Sequence, residues 1–92
     1  MELKDAIKEV LDKIPPDCVF DPHTIINYLL TNDTWTEVYL RSFNTQTVEN
    51  YHSTISKIIK SFPEVEDLGY ESWSKNIHDE FSKCSCYKKR RV

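Results

Sequence analysis

Three cysteines (Cys18, Cys84 and Cys86) and three histidines (His23, His52 and His78) are the side chains of this sequence best suited to ligate a metal or to act as nucleophile and base. A zinc site would pool Cys84 and Cys86 with His78 and either Cys18 or His23. Structural zinc sites pair ligands two to four residues apart on a knuckle, whereas Cys-x-Cys in an extended strand sends both sulfurs to one face without that turn. The spacing therefore predicts no metal and no cofactor, with half-buried thiols instead. An odd number of cysteines also argues against a secreted disulfide framework. His23 is placed to cap or hydrogen-bond locally in the first turn of a helix, and His52, beside an apolar stripe, to donate to a backbone carbonyl from the core. No Ser, His and acidic set has a spacing that signals a catalytic triad. The adjacent carboxylates Glu66-Asp67 and Asp79-Glu80 point to opposite faces of a strand and make no acid/base pair. A single glycine, Gly69, excludes the Gly-rich phosphate loops of nucleotide-binding folds. These features predict a non-enzymatic protein.

Charge then becomes the main guide to partners. The net charge of -3 comes from 12 basic and 15 acidic side chains, but four of the basic ones are Lys88, Lys89, Arg90 and Arg91. Residues 1–87 thus carry 8 basic and 15 acidic side chains, a net of -7. An acidic body repels polyanions and a basic end attracts them, so the total neither supports nor excludes nucleic acid. Residues 88–92 read as a basic C-terminal tail, either contacting nucleic acid or an acidic partner or serving as a frayed, solubilising end. Residues 1–87 read as one domain, because 92 residues with 39% hydrophobic content fill one small core and not two. No run approaches the roughly 20 apolar residues of a spanning helix, and Met1-Glu2-Leu3-Lys4-Asp5 is charged where a secretory signal is apolar. The expectation is a cytoplasmic protein without a membrane partner.

Several elements must position these groups. Leu3, Ala6, Ile7, Val10, Leu11 and Ile14 form one apolar helical stripe, with Glu9 and Lys13 spaced for a favourable pair one turn apart, and Pro15-Pro16 ends that helix. Cys18-Val19-Phe20 is a short β-prone run. Asp21-Pro22 then reads as a cap and first-turn proline for a second helix with Ile25, Ile26, Leu29 and Leu30 inward. Thr34-Trp35-Thr36-Glu37 matches a capping box for a short further helix carrying Trp35, Val38, Tyr39 and Leu40. Asn44-Thr45 is the next cap, opening the longest helix, in which Val48, Tyr51, His52, Ile55, Ile58, Ile59 and Phe62 share a face until Pro63 stops it. Val65–Tyr70 and Glu80–Tyr87 then read as two strands around an irregular connection. Trp73, Ile77, Phe81 and Cys84 also fit a helical stripe, so period alone leaves residues 72–84 open between hairpin and helix.

The expected class is α+β and mainly helical, with a core of three to four helices and a C-terminal β-hairpin. That order resembles the winged helix-turn-helix topology. Val19-Phe20-Asp21-Pro22-His23-Thr24-Ile25-Ile26 looks like the "Phe-Asp-x-His-x-hydrophobic" opening of the second helix in small bacterial winged-helix-like proteins. Tyr51-His52-Ser53-Thr54-Ile55 looks like the "His-Ser-x-Ile" segment of their third helix, and Ser74-Lys75-Asn76-Ile77-His78 like the start of their wing turn. The sequence departs from that pattern at Asp79, where glycine would suit a tight turn better.

The resemblance implies a small winged-helix domain that binds double-stranded DNA, as in a transcriptional regulator. Its long helix would enter the major groove, presenting Gln46, Glu49, Asn50, Ser53, Lys57 and Lys60. Lys75, Lys83, Lys88, Lys89, Arg90 and Arg91 would meet phosphates from the wing and beyond. Glu64, Glu66, Asp67, Glu71, Asp79 and Glu80 crowd the same hairpin and oppose such contact. The rival reading is therefore a protein-interaction module, or a homodimer, on the same frame without nucleic acid. It would use Trp35, Tyr39, Tyr70 and Trp73 as anchors.

Overall fold

The computed structural model describes residues 1–43 and 47–91, which form four helices and a three-stranded antiparallel sheet. The elements run α1 Leu3–Leu11, β1 Val19–Phe20, α2 Pro22–Leu29, α3 Asp33–Phe43, α4 Val48–Lys60, β2 Val65–Lys75 and β3 Phe81–Lys89. No described helix is long and apolar enough to cross a membrane.

The apolar stripe of α1 is buried from Leu3 to Leu11 and packs with Ile25, Ile26 and Leu29 of α2, Val38 and Tyr39 of α3, and Tyr51, Ile55 and Ile59 of α4. The Glu9–Lys13 pair suggested by their spacing gives way to a shared contact with α3. Trp35 Nε1 donates to Glu9 at 3.1 Å while the Lys13 ammonium stands 5.9 Å from the Trp35 ring centre. Lys8 instead holds Asp12 at 2.8 Å and also reaches Glu64.

Helix α2 starts as its residue types demand, with Asp21 Oδ1 accepting from the Thr24 amide at 2.8 Å and Pro22 in the first turn. At α3 the cap lies two residues before the Thr34-x-x-Glu37 box. Asn32 Oδ1 takes the Thr34 and Trp35 amides at 2.9 and 3.1 Å, and the helix begins at Asp33. Asn caps at least as well as Thr, and Asn32 satisfies the Thr34 and Trp35 amides, which precede those a Thr34 cap would serve, so the helix starts earlier than the box suggests. Thr47 caps α4, accepting from the Asn50 amide at 3.2 Å. The proposed Asn44-Thr45 cap, like Gln46, lies outside the described residues.

The sheet order is β1-β3-β2, so the two-residue β1, far earlier in the chain, joins the hairpin on its last strand. Val19 pairs with Lys88 and Phe20 with Tyr87. Between Asp67 and Glu71 the register slips, and four steps on β2 span the two steps from Tyr87 to Ser85 on β3. Gly69 sits in this bulge at φ 78°, with its amide on Asp67 Oδ1 at 2.9 Å. A Cβ there would touch nothing within 4 Å, so the backbone angle, not space, calls for glycine.

Residues 72–84 form a hairpin, because β2 continues through Trp73 to Lys75. At its turn Asp79 takes φ 62°, the left-handed conformation in which glycine would carry less strain. Asn76 supports the turn: its Oδ1 accepts from the His78 and Glu80 amides at 2.9 and 3.3 Å.

Candidate functional site

The hairpin register divides its side chains into two sets. Ser72 lies opposite Cys84 and Ser74 opposite Ser82, while the alternate pairs are Trp73 with Lys83 and Lys75 with Phe81. Alternation along each strand puts the small polar set on one face and the aromatic and basic set on the other.

The polar face meets the first turn of α2. His23 Nδ1 lies 2.6 Å from Ser74 Oγ and 3.6 Å from Cys84 Sγ, and Ser74 Oγ is 3.4 Å from that sulfur. The other ring nitrogen, Nε2, is 3.4 Å from Ser82 Oγ, which in turn accepts from Asn76 Nδ2 at 3.4 Å. The Asp21 carboxylate completes the group, with its donor oxygen, His23 nitrogen and Cys84 sulfur all within 4.8 Å of one another. His23 therefore does not bond locally, since Asp21 already holds the capping position and the imidazole is free to reach the hairpin. Burial pushes the Cys84 thiol above its usual pKa and the Asp21 charge adds to this, against a weaker opposing pull from the Ser74 hydrogen bond. A shift in that direction leaves less of the thiolate that nucleophilic catalysis uses. Cys86 is buried with its thiol on Ser72 Oγ at 3.0 Å, and Cys18 is exposed. The zinc pooling of Cys84 with Cys86 and His78 does not describe this cluster. Asp21, Ser74, Ser82 and Asn76 were not singled out by spacing, and the signal that points to them is the run of Ser and Cys at alternate hairpin positions.

Beside this cluster a cleft of about 210 Å³ is lined by His23, Glu49, His52, Ser53, Ser56, Lys83, Cys84 and neighbouring residues, so α4 and β3 share one surface. On α4, Glu49, Asn50, Ser53, Lys57 and Lys60 are exposed as their helical phase dictates. Among the described residues His52 pairs through Nε2 with the Tyr39 hydroxyl at 2.8 Å and not with a carbonyl. Burial first, and then the nearby His23 and His78, hold His52 below its usual pKa, with Glu49 opposing. Tyr51, whose hydroxyl donates to the Tyr39 carbonyl at 2.6 Å, is pushed up to about 12, chiefly by burial.

The basic residues near the C-terminus are placed differently from a free tail. Strand β3 runs through Lys88 and Lys89, past the domain boundary drawn at residue 87. Lys89 is 8% exposed, and its ammonium donates to the Leu11 and Ile14 carbonyls at 2.5 and 3.1 Å, at the C-terminal end of α1. Arg90 donates to the Pro63 carbonyl at 3.0 Å, and Arg91 grips Asp17 at 2.5 and 3.1 Å. These three cations act within the molecule because the β1–β3 pairing returns the chain end to the helical core. Lys88 lies opposite Glu66 and Val19. Lys60 pairs with Asp67 at 3.4 Å and Lys75 with Asp79 at 3.0 Å.

The second hairpin face is open to solvent. Trp73 is 64% and Phe81 63% exposed, with Lys83 5.7 Å from the Trp73 ring centre and Lys75 5.9 Å from that of Phe81. Tyr70 is exposed as well, whereas Trp35 and Tyr39 belong to the core. No known protein family, curated protein or solved structure matches the chain.

Proposed function

We propose that the protein is a small winged-helix-type DNA-binding domain whose α4 enters the major groove while the hairpin lies along the phosphates. The observation that supports this most is the element order α1-β1-α2-α3-α4-β2-β3 with strand order β1-β3-β2. It sets the exposed face of the long helix beside the hairpin, as a winged-helix reader requires. The footprint is narrower than the count of basic residues suggests. Asn50 and Ser53 suit base edges, Glu49 suits a cytosine amino group, and Lys57, Lys60, Lys75 and Lys83 suit phosphates. Lys89, buried with its ammonium on the Leu11 and Ile14 carbonyls, stands outside it, whereas Arg90 and Arg91 remain exposed.

Fluorescence anisotropy with a labelled duplex at low salt tests this. The Lys57→Glu/Lys60→Glu pair should lower affinity at least tenfold, and the log-log salt slope of the wild type should reflect about 0.9 per phosphate contact. Unchanged affinity in the double variant would remove α4 from the interface.

A second reading is supported by the exposed rings of Trp73 and Phe81, which suit a protein partner. Under that reading Trp73→Ala abolishes partner capture while the wild type shows no affinity for duplex DNA.

A further inference from the structure

We propose that Asp21, His23 and Cys84 form a zinc-binding site joining the start of α2 to the hairpin, an assignment independent of the DNA reading. The three residues offer oxygen, nitrogen and sulfur donors, the set that borderline-soft Zn²⁺ prefers. Zinc bonds of about 2.3 Å to sulfur and about 2.0 Å to nitrogen, at a tetrahedral angle, separate those two ligands by roughly 3.5 Å. Cys84 Sγ and His23 Nδ1 are 3.6 Å apart. The Asp21 carboxylate lies within 4.8 Å of both. Water fills the fourth position.

Two of the three ligands already have the outer hydrogen bonds that orient metal-binding side chains. Asp21 Oδ1 is held by the Thr24 amide at 2.8 Å and the Thr24 hydroxyl at 3.0 Å, which leaves its second oxygen for the ion. His23 Nε2 faces Ser82, itself held by Asn76, which directs Nδ1 toward the sulfur. Ser74 Oγ, 2.6 Å from Nδ1, turns aside to admit the metal. Binding replaces the thiol proton with a zinc–sulfur bond and releases that proton to solvent. Local sequence spacing hides such a site, since Asp21 and His23 precede Cys84 by most of the chain.

The test titrates the reduced, full-length protein with Zn²⁺ by calorimetry, and with Co²⁺ by absorbance, in the absence of DNA. One equivalent should bind, with a near-ultraviolet thiolate-to-cobalt band. Cys84→Ser should abolish the band, while Cys18→Ser and Cys86→Ser leave it intact. Asp21→Asn retains an N-cap, because Asn caps as well as Asp, and should weaken zinc at least tenfold. His23→Gln should do the same. Far-ultraviolet circular dichroism establishes that each variant is folded, and if Cys84→Ser does not fold, the Asp21 and His23 variants decide. No saturable binding at micromolar zinc, a band that survives Cys84→Ser, or full affinity in both Asp21→Asn and His23→Gln would overturn the site. Since no DNA is present, that failure leaves the groove assignment to its own test.

Discussion

At its root β3 sets Tyr87 and Lys89 against the helices, and toward its tip the same strand carries Phe81 and Lys83 into solvent. Tyr87 packs on Phe20, with ring centres 5.9 Å apart, and shares a 2.6 Å hydrogen bond with Ser56 of α4. Phe81 is largely exposed, with the cation of Lys75 near its ring. Lys89 donates to the Leu11 and Ile14 carbonyls at the C-terminal end of α1, whereas Lys83 stands over Trp73. An aromatic residue and a lysine two positions apart thus pack into the fold at one end and stand in solvent at the other. The difference is set by β1: only the root lies beside it and is drawn into the core.

The strongest challenge to this contrast is Lys89→Met. It leaves the Leu11 and Ile14 carbonyls without their charged donor and should cost about 2–3 kcal/mol, read from the urea midpoint. A loss as small as that at Lys83 would show that root and tip do not differ. Gly69→Ala forces a Cβ into the left-handed conformation of the bulge between them and should cost about 1–2 kcal/mol by the same measurement.

A pH series adds the helical side of the root. His52 titrates below its ordinary value of 6.5 in the folded protein, so the unfolded chain binds its proton first as pH falls. Its contribution to stability is complete above 6.5 and is lost as pH drops from there toward the folded value. His52→Asn should therefore flatten the stability profile between pH 7.5 and 5.5, and an unaltered slope would assign it to other groups.

Arg91→Ala, which removes an exposed ion pair with Asp17, should cost no more than about 0.5 kcal/mol. Smallest of all, Lys83→Met at the tip should change stability by less than about 0.5 kcal/mol. A larger loss there would mean that the tip, too, supports the fold.

Much of the helical framework was legible in the residues. The stripe of α1, the Asp21-Pro22 start of α2 and the outward side chains of α4 follow from local periodicity and capping, which neighbouring residues fix among themselves. The cap of α3 shows the limit, because Asn32 and Thr34 are both good N-caps two residues apart, and the structure uses Asn32. The hairpin was left between two periods until its partner strand was in place. Of the candidate site, the exposure of Asn50, Ser53, Lys57 and Lys60 could be read from helical phase. The fate of Lys89, Arg90 and Arg91 could not, because charge in sequence does not say which carbonyls or carboxylates the folded chain brings near.

The sequence by itself determined that α2 opens at Asp21-Pro22, where the apolar stripe of α1 lies and that glycine is too scarce for a phosphate loop. Only the tertiary structure decided that Lys89 is buried on the end of α1, that Arg90 and Arg91 find partners within the chain, and that Asp21 and His23 meet Cys84. Those contacts depend on the short β1 pairing with β3, a link that closes most of the chain into one loop. Such a link forms when burial and backbone pairing together outweigh the entropy of closure, a balance that no local pattern records.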